Sequence, residues 1–514
     1  YSENYNWLVE NIVKYQKHFL DIHDIDITFL FSRDHYNNDY SKMDNSDFFS
    51  DILGYNKLEL GKNPTVASSA KESNGLSYMG RINYRLMDRY LLTLLARRDG
   101  YSAFGKEKKW GTFPSIAVAW ILSEEVFMKR ISWLNNLKIR FSYSETGNQA
   151  IAPYSSLAQM AQNQYVFGEG SSSFNGIYNS AMGNNDLTWE TTKSANVGID
   201  FSVLGSRLSG SLEYYDLKTK DLLMRRSIPS MTGYNSVYTN LGGISNKGLE
   251  LTLNSVNISN RDFEWSSTLT LSTNKNKITS LYGLDLDNDG KEDNDISNGW
   301  FIGQPIGAIY DYTLNGVYQE DDDIPTGFKP GYFRIVDKNG SGGADPDDRS
   351  IIGKTSPDIR IGLGNTLTYK GFTLYLFVNS SFGGKKSNPM LNPAGWFPDR
   401  LNILDVGEEY WTPENRSNTR PTIGYAMPFT HGFYESLTYV RIQDVSLSYD
   451  IPRKLLDMLK INGLRLYISA KNLATFTNWS GWDPEIDANG TATEIKKGGY
   501  PLAKTFTFGV NFSF

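Results

Sequence analysis

An all-β chain that crosses a membrane as a transmembrane antiparallel β-barrel, with short turns at one end and long loops at the other, is the fold class this sequence predicts. Three observations carry the prediction: side chains alternate oily and wet with a period of two, tight connections alternate with long ones, and no run of about 18 apolar residues offers a transmembrane helix. Only 39% of the 514 residues are hydrophobic and the mean hydropathy is −0.42. Contact with lipid must therefore come from one face of each strand rather than from whole segments. Aromatics at 14%, together with 46 glycines, suit an architecture of many short strands.

Strands are expected near 5–17 and 24–33, then at 76–86, where Leu76, Tyr78, Ile82, Tyr84 and Leu86 oppose Ser77, Arg81, Asn83 and Arg85. The turn Leu86-Met87-Asp88 leads into 88–99, followed by 112–122. Within 134–145, Leu137, Ile139, Phe141 and Tyr143 oppose Lys138, Arg140, Ser142 and Ser144. Val197, Ile199 and Phe201 oppose Asn196, Asp200 and Ser202 in 188–203, and the turn Leu204-Gly205-Ser206 joins that strand to 206–219. Leu249, Leu251 and Leu253 oppose Glu250, Thr252 and Asn254 in 246–258, which precedes 262–275. Lys370-Gly371 separates 358–369 from 371–382. In 437–450 the alternation changes phase between Ile442 and Val445, pointing to a bulge around Asp444. Leu466, Ile468 and Ala470 oppose Arg465, Ser469 and Lys471 in 463–473. The last strand, 504–514, sets Phe506, Phe508, Val510, Phe512 and Phe514 against Thr505, Thr507, Gly509, Asn511 and Ser513. So many charges on the second face exclude the dry interior of a β-sandwich, and that face must meet water.

Long polar connections at 34–75, 146–187, 276–356 and 383–436 all fall at the same end, the pattern of short periplasmic turns and extended outer loops. About fifteen strands result, whereas single-chain bacterial outer-membrane barrels have even counts, and an open barrel in lipid leaves unpaired edges. A barrel part on the N-terminal side is therefore expected to be missing. The opening YSENYNWLVE has neither a basic n-region nor an apolar h-region, so any export signal is expected to lie outside this segment. A net charge of −6 gives little support to nucleic-acid binding, and the absence of cysteine excludes disulfides and thiolate metal sites.

The stretches RRDGYSAFGKEKKWGTFPSIAVAWILSEEVFM, LKIRFSYSETGNQ, GQPIGAIYDYTLNGVYQ, DPDDRSIIG and YPLAKTFTFGVNFSF occur in that order along most of the chain. Together they resemble the SusC/RagA family of TonB-dependent outer-membrane transporters. The resemblance implies a 22-stranded barrel filled by an N-terminal plug, of which residues 1–514 would be the C-terminal part. Residues 5–17 would then be about the eighth strand, with plug, TonB box and first strands absent from this sequence. It further implies TonB-dependent import of an oligosaccharide or peptide nutrient across the outer membrane of a Gram-negative bacterium. The implied partners are a SusD-like surface lipoprotein acting as a lid, TonB-ExbB-ExbD acting through the missing N-terminal region, outer-membrane lipid, and a second transporter-lid pair to make a dimer. Phe514 resembles the terminal aromatic read by the barrel-assembly machinery; it equally completes a lipid-facing strand.

Two acidic loops suggest Ca2+ or Mg2+. Asp285, Asp287 and Asp289 stand at positions one, three and five of an EF-hand-type loop, with Gly290 at six but Ile296 at twelve, where a carboxylate is wanted. Asp337, Asn339 and Ser341 fill the same positions in the second loop, followed by Gly342, Asp345 and, at twelve, Asp348. Either loop also reads as a solvated acidic turn, and the spacing favours a cation in the second over the first. Trp300, Trp396, Phe397, Trp411, Trp479 and Trp482 fall in the long loops, where aromatic rings stack on sugars or peptide side chains, or simply pack loops together. Tyr78, Tyr90, Trp120, Tyr143 and Tyr369, near strand ends, read as an interfacial girdle. No catalytic residues are identified: His18, His23, His35 and His431 lack metal-ligand spacing, no G-x-S-x-G is present, and Gly362 to Gly364 lie in a strand with no helix to follow. Two other classes fit parts of the pattern, a plug-free porin and a secreted calcium-binding β-sandwich adhesin, although no repeat of about 100 residues supports the second.

Overall fold

The computed structural model describes residues 1–514 apart from 51, 53, 167–172, 235, 389–409, 423, 424, 427, 460, 482, 486–501 and 514. Fifteen strands form one sheet in chain order, each antiparallel to its neighbours. They are β1 (Ser2–Phe19), β2 (His23–Asp44), β3 (Thr65–Leu86), β4 (Tyr90–Tyr101), β5 (Trp110–Ile121), β6 (Leu134–Asn148), β7 (Glu190–Val203), β8 (Leu208–Ser227), β9 (Ser236–Ser259), β10 (Phe263–Ser280), β11 (Ile359–Tyr369), β12 (Phe372–Phe382), β13 (Tyr439–Asp450), β14 (Gly463–Thr477) and β15 (Thr505–Ser513). The number of strands and their succession agree with the alternation in the sequence. A short helix, α1 (Arg453–Leu459), sits between β13 and β14, and no described helix is long and apolar enough to cross a membrane.

Short connections share one end of the sheet. Met87, Asp88 and Arg89 join β3 to β4, the first two with φ of 54° and 57°, and Lys370 and Gly371 join β11 to β12 with φ of 46° and 91°. Such left-handed pairs match the right-handed twist of the flanking strands, which is why two-residue hairpins select them. The expected bulge is present: pairing of β13 with β14 shifts between Ile442 and Asp444, and pairing of β12 with β13 shifts between Phe377 and Val378.

At the opposite end the sequence reading was too short. Residues 34–75, expected to be a loop, continue the β2–β3 hairpin to the pair Asp44 and Thr65. Likewise β8 and β9 run on past their expected limits to Ser227 and Ser236. Beyond the apolar rows both faces are wet, so the backbone ladder persists while the alternation that betrays a strand vanishes. The other long connections hold hairpins of their own: Gln159–Val166 pairs with Ser173–Ala181, Ala308–Asp311 with Ser350–Lys354, Leu314–Val317 with Phe333–Ile335, and Lys385–Ser387 with Tyr434–Ser436.

Directly paired residues of antiparallel strands share a face, so the pattern of one strand propagates to the next. Ile82, Leu94, Ile116 and Tyr143 form one such row across β3 to β6. Leu94, Ile116, Phe141 and Phe508 are all exposed, an arrangement a water-soluble protein of this size would bury. From Tyr90 to Arg98 the apolar face of β4 rises about 26 Å along the strand, or about 20 Å along a membrane normal at the usual barrel tilt. At the short-turn edge Tyr90 and Trp120 stack with centroids 6.3 Å apart, and both donate to Glu125 Oε1, at 2.7 and 3.1 Å. The other face is polar and cross-linked. Arg140 of β6 meets Asp200 of β7 at 3.2 Å and Glu213 of β8, while Asp24 of β2 accepts from Arg85 of β3 at 2.9 Å.

Candidate binding surface at the long-loop end

On the polar face, near the long loops, the strands leave a recess of about 540 Å³. Its charged wall is built by alternation: Ser77 on β3 and Arg97 and Asp99 on β4 point inward because their neighbours Tyr78 and Arg98 point outward. Arg97 donates to both carboxylate oxygens of Asp99, at 2.8 and 2.9 Å, and to Ser77 Oγ at 3.2 Å. Asp34, Gln149, Phe113 and Trp189 also line it, together with Glu145 of β6.

The aromatic wall belongs to a small core that fastens the loops to the sheet. Phe104, Phe113, Leu187 and Trp189 are buried together, with Tyr101, Ile151 and Leu223 around them. Phe113 meets Trp189 edge-on at 5.4 Å, and Trp189 Nε1 donates to the Lys109 carbonyl at 3.0 Å. Two glycines permit the close approach. A Cβ on Gly105 would stand 1.8 Å from the Asn185 carbonyl oxygen, and one on Gly147 would stand 2.1 Å from the Phe113 ring. The recess thus presents a guanidinium held by a carboxylate, two further carboxylates and an aromatic edge. That set suits a polar ligand carrying amides, hydroxyls or charges.

A second buried core lies within the longest loops, where Val317, Phe333, Trp411, Tyr425 and Phe433 pack together. Trp411 Nε1 donates to Gln319 Oε1 at 2.9 Å, so this buried ring packs loop against loop. His431 is buried beside it, its Nε2 2.6 Å from Tyr425 Oη. Desolvation holds the imidazole below its usual 6.5, against a hydrogen bond from its Nδ1 to the Gly432 carbonyl and the charge of Asp311. Asp311 Oδ2 accepts from the Gly432 amide and the Tyr434 hydroxyl, both at 2.8 Å. Desolvation, reinforced by Asp311, raises the Tyr434 phenol.

Of the remaining aromatic candidates, Trp479 is buried, and half-buried Trp300 is held by two backbone bonds to Asp295, at 2.9 and 2.8 Å. Trp396, Phe397, Trp482 and Phe514 lie outside the described residues. Burial pushes the Asp295 carboxyl up, but hydrogen bonds from Tyr282, Asn298 and Ser297 outweigh it and hold the group at about 2. Tyr282 is pushed up to about 12 by burial and by Asp295.

The two acidic loops differ. Carboxylate oxygens of Asp285, Asp287 and Asp289 lie within 4.8 Å of one another, all exposed, and Asp285 accepts from the amides of Asp289 and Gly290 at 3.1 and 3.0 Å. Among the described residues Asp337, Asp345 and Asp348 do not converge in that way. Asp337 accepts from the amides of Gly340 and Gly342 at 2.7 and 2.8 Å. Asn339 donates to Asp345, helping to hold that carboxyl below its ordinary range. Fully buried Asp348 accepts from the Lys338 and Asp345 amides at 2.7 and 2.9 Å, so backbone N–H groups already offset its charge.

Sequence reasoning missed Arg97, Asp99, Phe113 and Trp189, although the wet-face parity of the RRDG stretch was visible. It also missed Arg441, whose buried guanidinium binds Asp483 at 2.7 Å and Glu485, pinning the last long connection to β13. A cation in a strand followed by Asp-Pro-Glu was the available signal.

Comparison with known proteins places these features. A family profile described as TonB dependent receptor-like, beta-barrel matches residues 2–473. The chain is 34% identical over 535 residues to TonB-dependent receptor P3 of Formosa agariphila, covering 100% of this chain and 53% of the relative. It is 30% identical over 460 residues to TonB-dependent receptor SusC of Bacteroides thetaiotaomicron, covering 85% and 44%. Among solved structures, that of the RagAB peptide transporter superposes with a TM-score of 0.81 at 25% identity, covering 100% of this chain and 56% of the other. The chain spans about half the length of the curated relatives it matches.

Proposed function

This chain belongs to the TonB-dependent receptor β-barrel family, in its SusC/RagA-like branch, and from that premise we propose that it forms the C-terminal part of the barrel of an outer-membrane importer. The observation that carries the reading is the two-faced sheet: an exposed apolar face of bilayer height backs a charged face that holds a recess beneath the long loops. The apolar face meets lipid, and the charged face lines the lumen. In the whole protein an N-terminal plug, worked by TonB-ExbB-ExbD, opens the lumen. A SusD-like lipoprotein closes over the rim formed by connections 281–358 and 383–438, and transporter-lid pairs associate as a dimer.

The cargo is a peptide or oligosaccharide, and the recess favours a peptide. Arg97 and Asp34 offer opposite charges to the ends or side chains of a short peptide, whereas a neutral sugar would need only the hydrogen-bonding groups and the rings. Ca2+ or Mg2+ in the outer loops belongs to the same proposal. The converging carboxylates of Asp285, Asp287 and Asp289 offer hard-cation ligands, while the second loop is braced by its own amides.

Replacing both Arg97 and Asp99 by Ala in the full-length transporter tests the assignment. Growth on the imported nutrient as sole source should fall several-fold while heat-modifiable migration of the barrel is kept. Undiminished growth would remove the recess from the pathway. Large unaided conductance of the full-length protein in planar bilayers would favour a plug-free porin instead.

A further inference from the structure

The lipid-facing side of β2 to β5 carries a groove that transport does not require. Gly80, Ala96 and Pro114 are directly paired across β3, β4 and β5, so three consecutive positions of one row present little more than a methyl group or a flat ring. The next row toward the short turns carries Ile82, Leu94 and Ile116, and the row toward the long loops carries Phe31 and Tyr78. With Phe29 and Tyr143 at its ends, the groove encloses about 520 Å³ and is lined almost wholly by apolar atoms. A Cβ at Gly80 would meet only the Phe29 ring, in ordinary contact at 3.8 Å, so the row leaves room there for a side chain.

Two guanidinium groups stand at the long-loop edge of this groove. Arg33 shares the apolar face with Leu76 and lies 5.6 Å from the Trp7 ring centroid; Arg98 shares it with Tyr78 and lies 5.2 Å from that of Trp110. Tyr78 stacks on Trp110 at 6.2 Å. The arginines are two strands and one row apart, so their Cα atoms are about 12 Å from each other by strand spacing and rise. Both are exposed, and neither forms an ion pair with a described residue. Elsewhere on this face some lysines beyond the apolar rows are paired across strands, Lys193 with Glu145 at 3.0 Å and Lys247 with Asp216 at 2.9 Å, whereas Lys218 beside Lys193 and Lys275 beside Lys247 form no ion pair with a described residue. The two arginines above the groove are set apart by the indole rings they lie against and by the apolar groove beneath them.

We infer that this surface binds a phosphate-bearing lipid of the outer leaflet, its phosphate held by Arg98 and Arg33 and one acyl chain laid along the Gly80–Ala96–Pro114 row. The inference rests on the reading that this face meets lipid. Stacking on an indole leaves the N–H edge of a guanidinium free, and that edge matches phosphate oxygens two at a time. Hydrocarbon already surrounds the groove, so filling it with a chain yields packing rather than a hydrophobic gain. Selection among lipids therefore falls to the phosphate.

The test uses the full-length transporter in a neutral detergent, delipidated and titrated with dioleoyl phosphatidic acid or dioleoyl phosphatidylcholine, with bound lipid counted by native mass spectrometry. The native protein should retain phosphatidic acid at least fivefold better than phosphatidylcholine. Arg33→Gln with Arg98→Gln should abolish that preference, and Gly80→Leu should weaken retention while both arginines remain. Equal retention of the two lipids by the native protein, or an unchanged preference in the double Gln variant, would overturn the proposal. Heat-modifiable migration of every variant reports the barrel separately, so failure of the lipid site is distinguishable from failure of the membrane reading.

Discussion

His431 is enclosed by rings, with Tyr425 Oη at 2.6 Å from Nε2 and the Phe433 and Phe333 centroids at 4.9 and 6.0 Å. Its pKa when folded lies below the 6.5 of the free side chain, because burial disfavours the imidazolium more than Gly432 and Asp311 favour it. Above pH 6.5 both folded and opened loop hold a neutral ring, and stability does not change with pH on this account. As pH falls below 6.5 the opened loop takes up a proton that the folded loop refuses, so the loop core weakens, by at most about 1.4 kcal/mol per pH unit. Hydrogen exchange of residues 425–434, corrected for intrinsic rates, should therefore speed up between pH 7 and 5.5. The His431→Gln variant should lose that dependence; if it keeps it, the slope belongs to other groups. Trp411 in the same core marks how far single residues were legible. The sequence identifies a loop tryptophan but not whether it meets ligand or protein, because that depends on Gln319, Phe333 and Tyr425, distant partners with no periodic relation to it.

At the scale of elements, legibility follows the solvent. Where one face meets lipid and the other water, as in β4 or β6, alternation gave each strand to within a few residues, and even the β13 bulge was visible as a change of phase. Where both faces are wet, as in Asp34–Asp44 of β2, the hairpin continued unseen. The acidic loops behave similarly. Spacing favoured 337–348, yet it is 285–289 whose carboxylates converge, since Asp348 turns inward to its own backbone and Asp285 stays exposed. Millimolar Ca2+ should accordingly slow proteolysis between residues 281 and 300 in the full-length protein, and Asp287→Asn with Asp289→Asn should cancel the effect. Protection that survives those changes, or none in the native protein, would remove the cation from this loop.

For the whole molecule, strand number and succession were legible because an up-and-down sheet needs only local pairings, each joined by its own turn. The recess was not, because it joins five strands, β2 to β6, with Gln149 and Trp189 from the connection that follows them. What unifies both is the assignment of media to faces. The sequence contains no cysteine, so single spin labels can be placed along β4 in full-length protein cleared of any cysteine elsewhere and reconstituted into lipid. Labels at 92, 94 and 96 should be relaxed by oxygen, and those at 93, 95 and 97 by a water-soluble nickel chelate, in strict alternation. Uniform accessibility to the chelate at all six positions, or burial of the even ones away from oxygen, would contradict a lipid-facing wall.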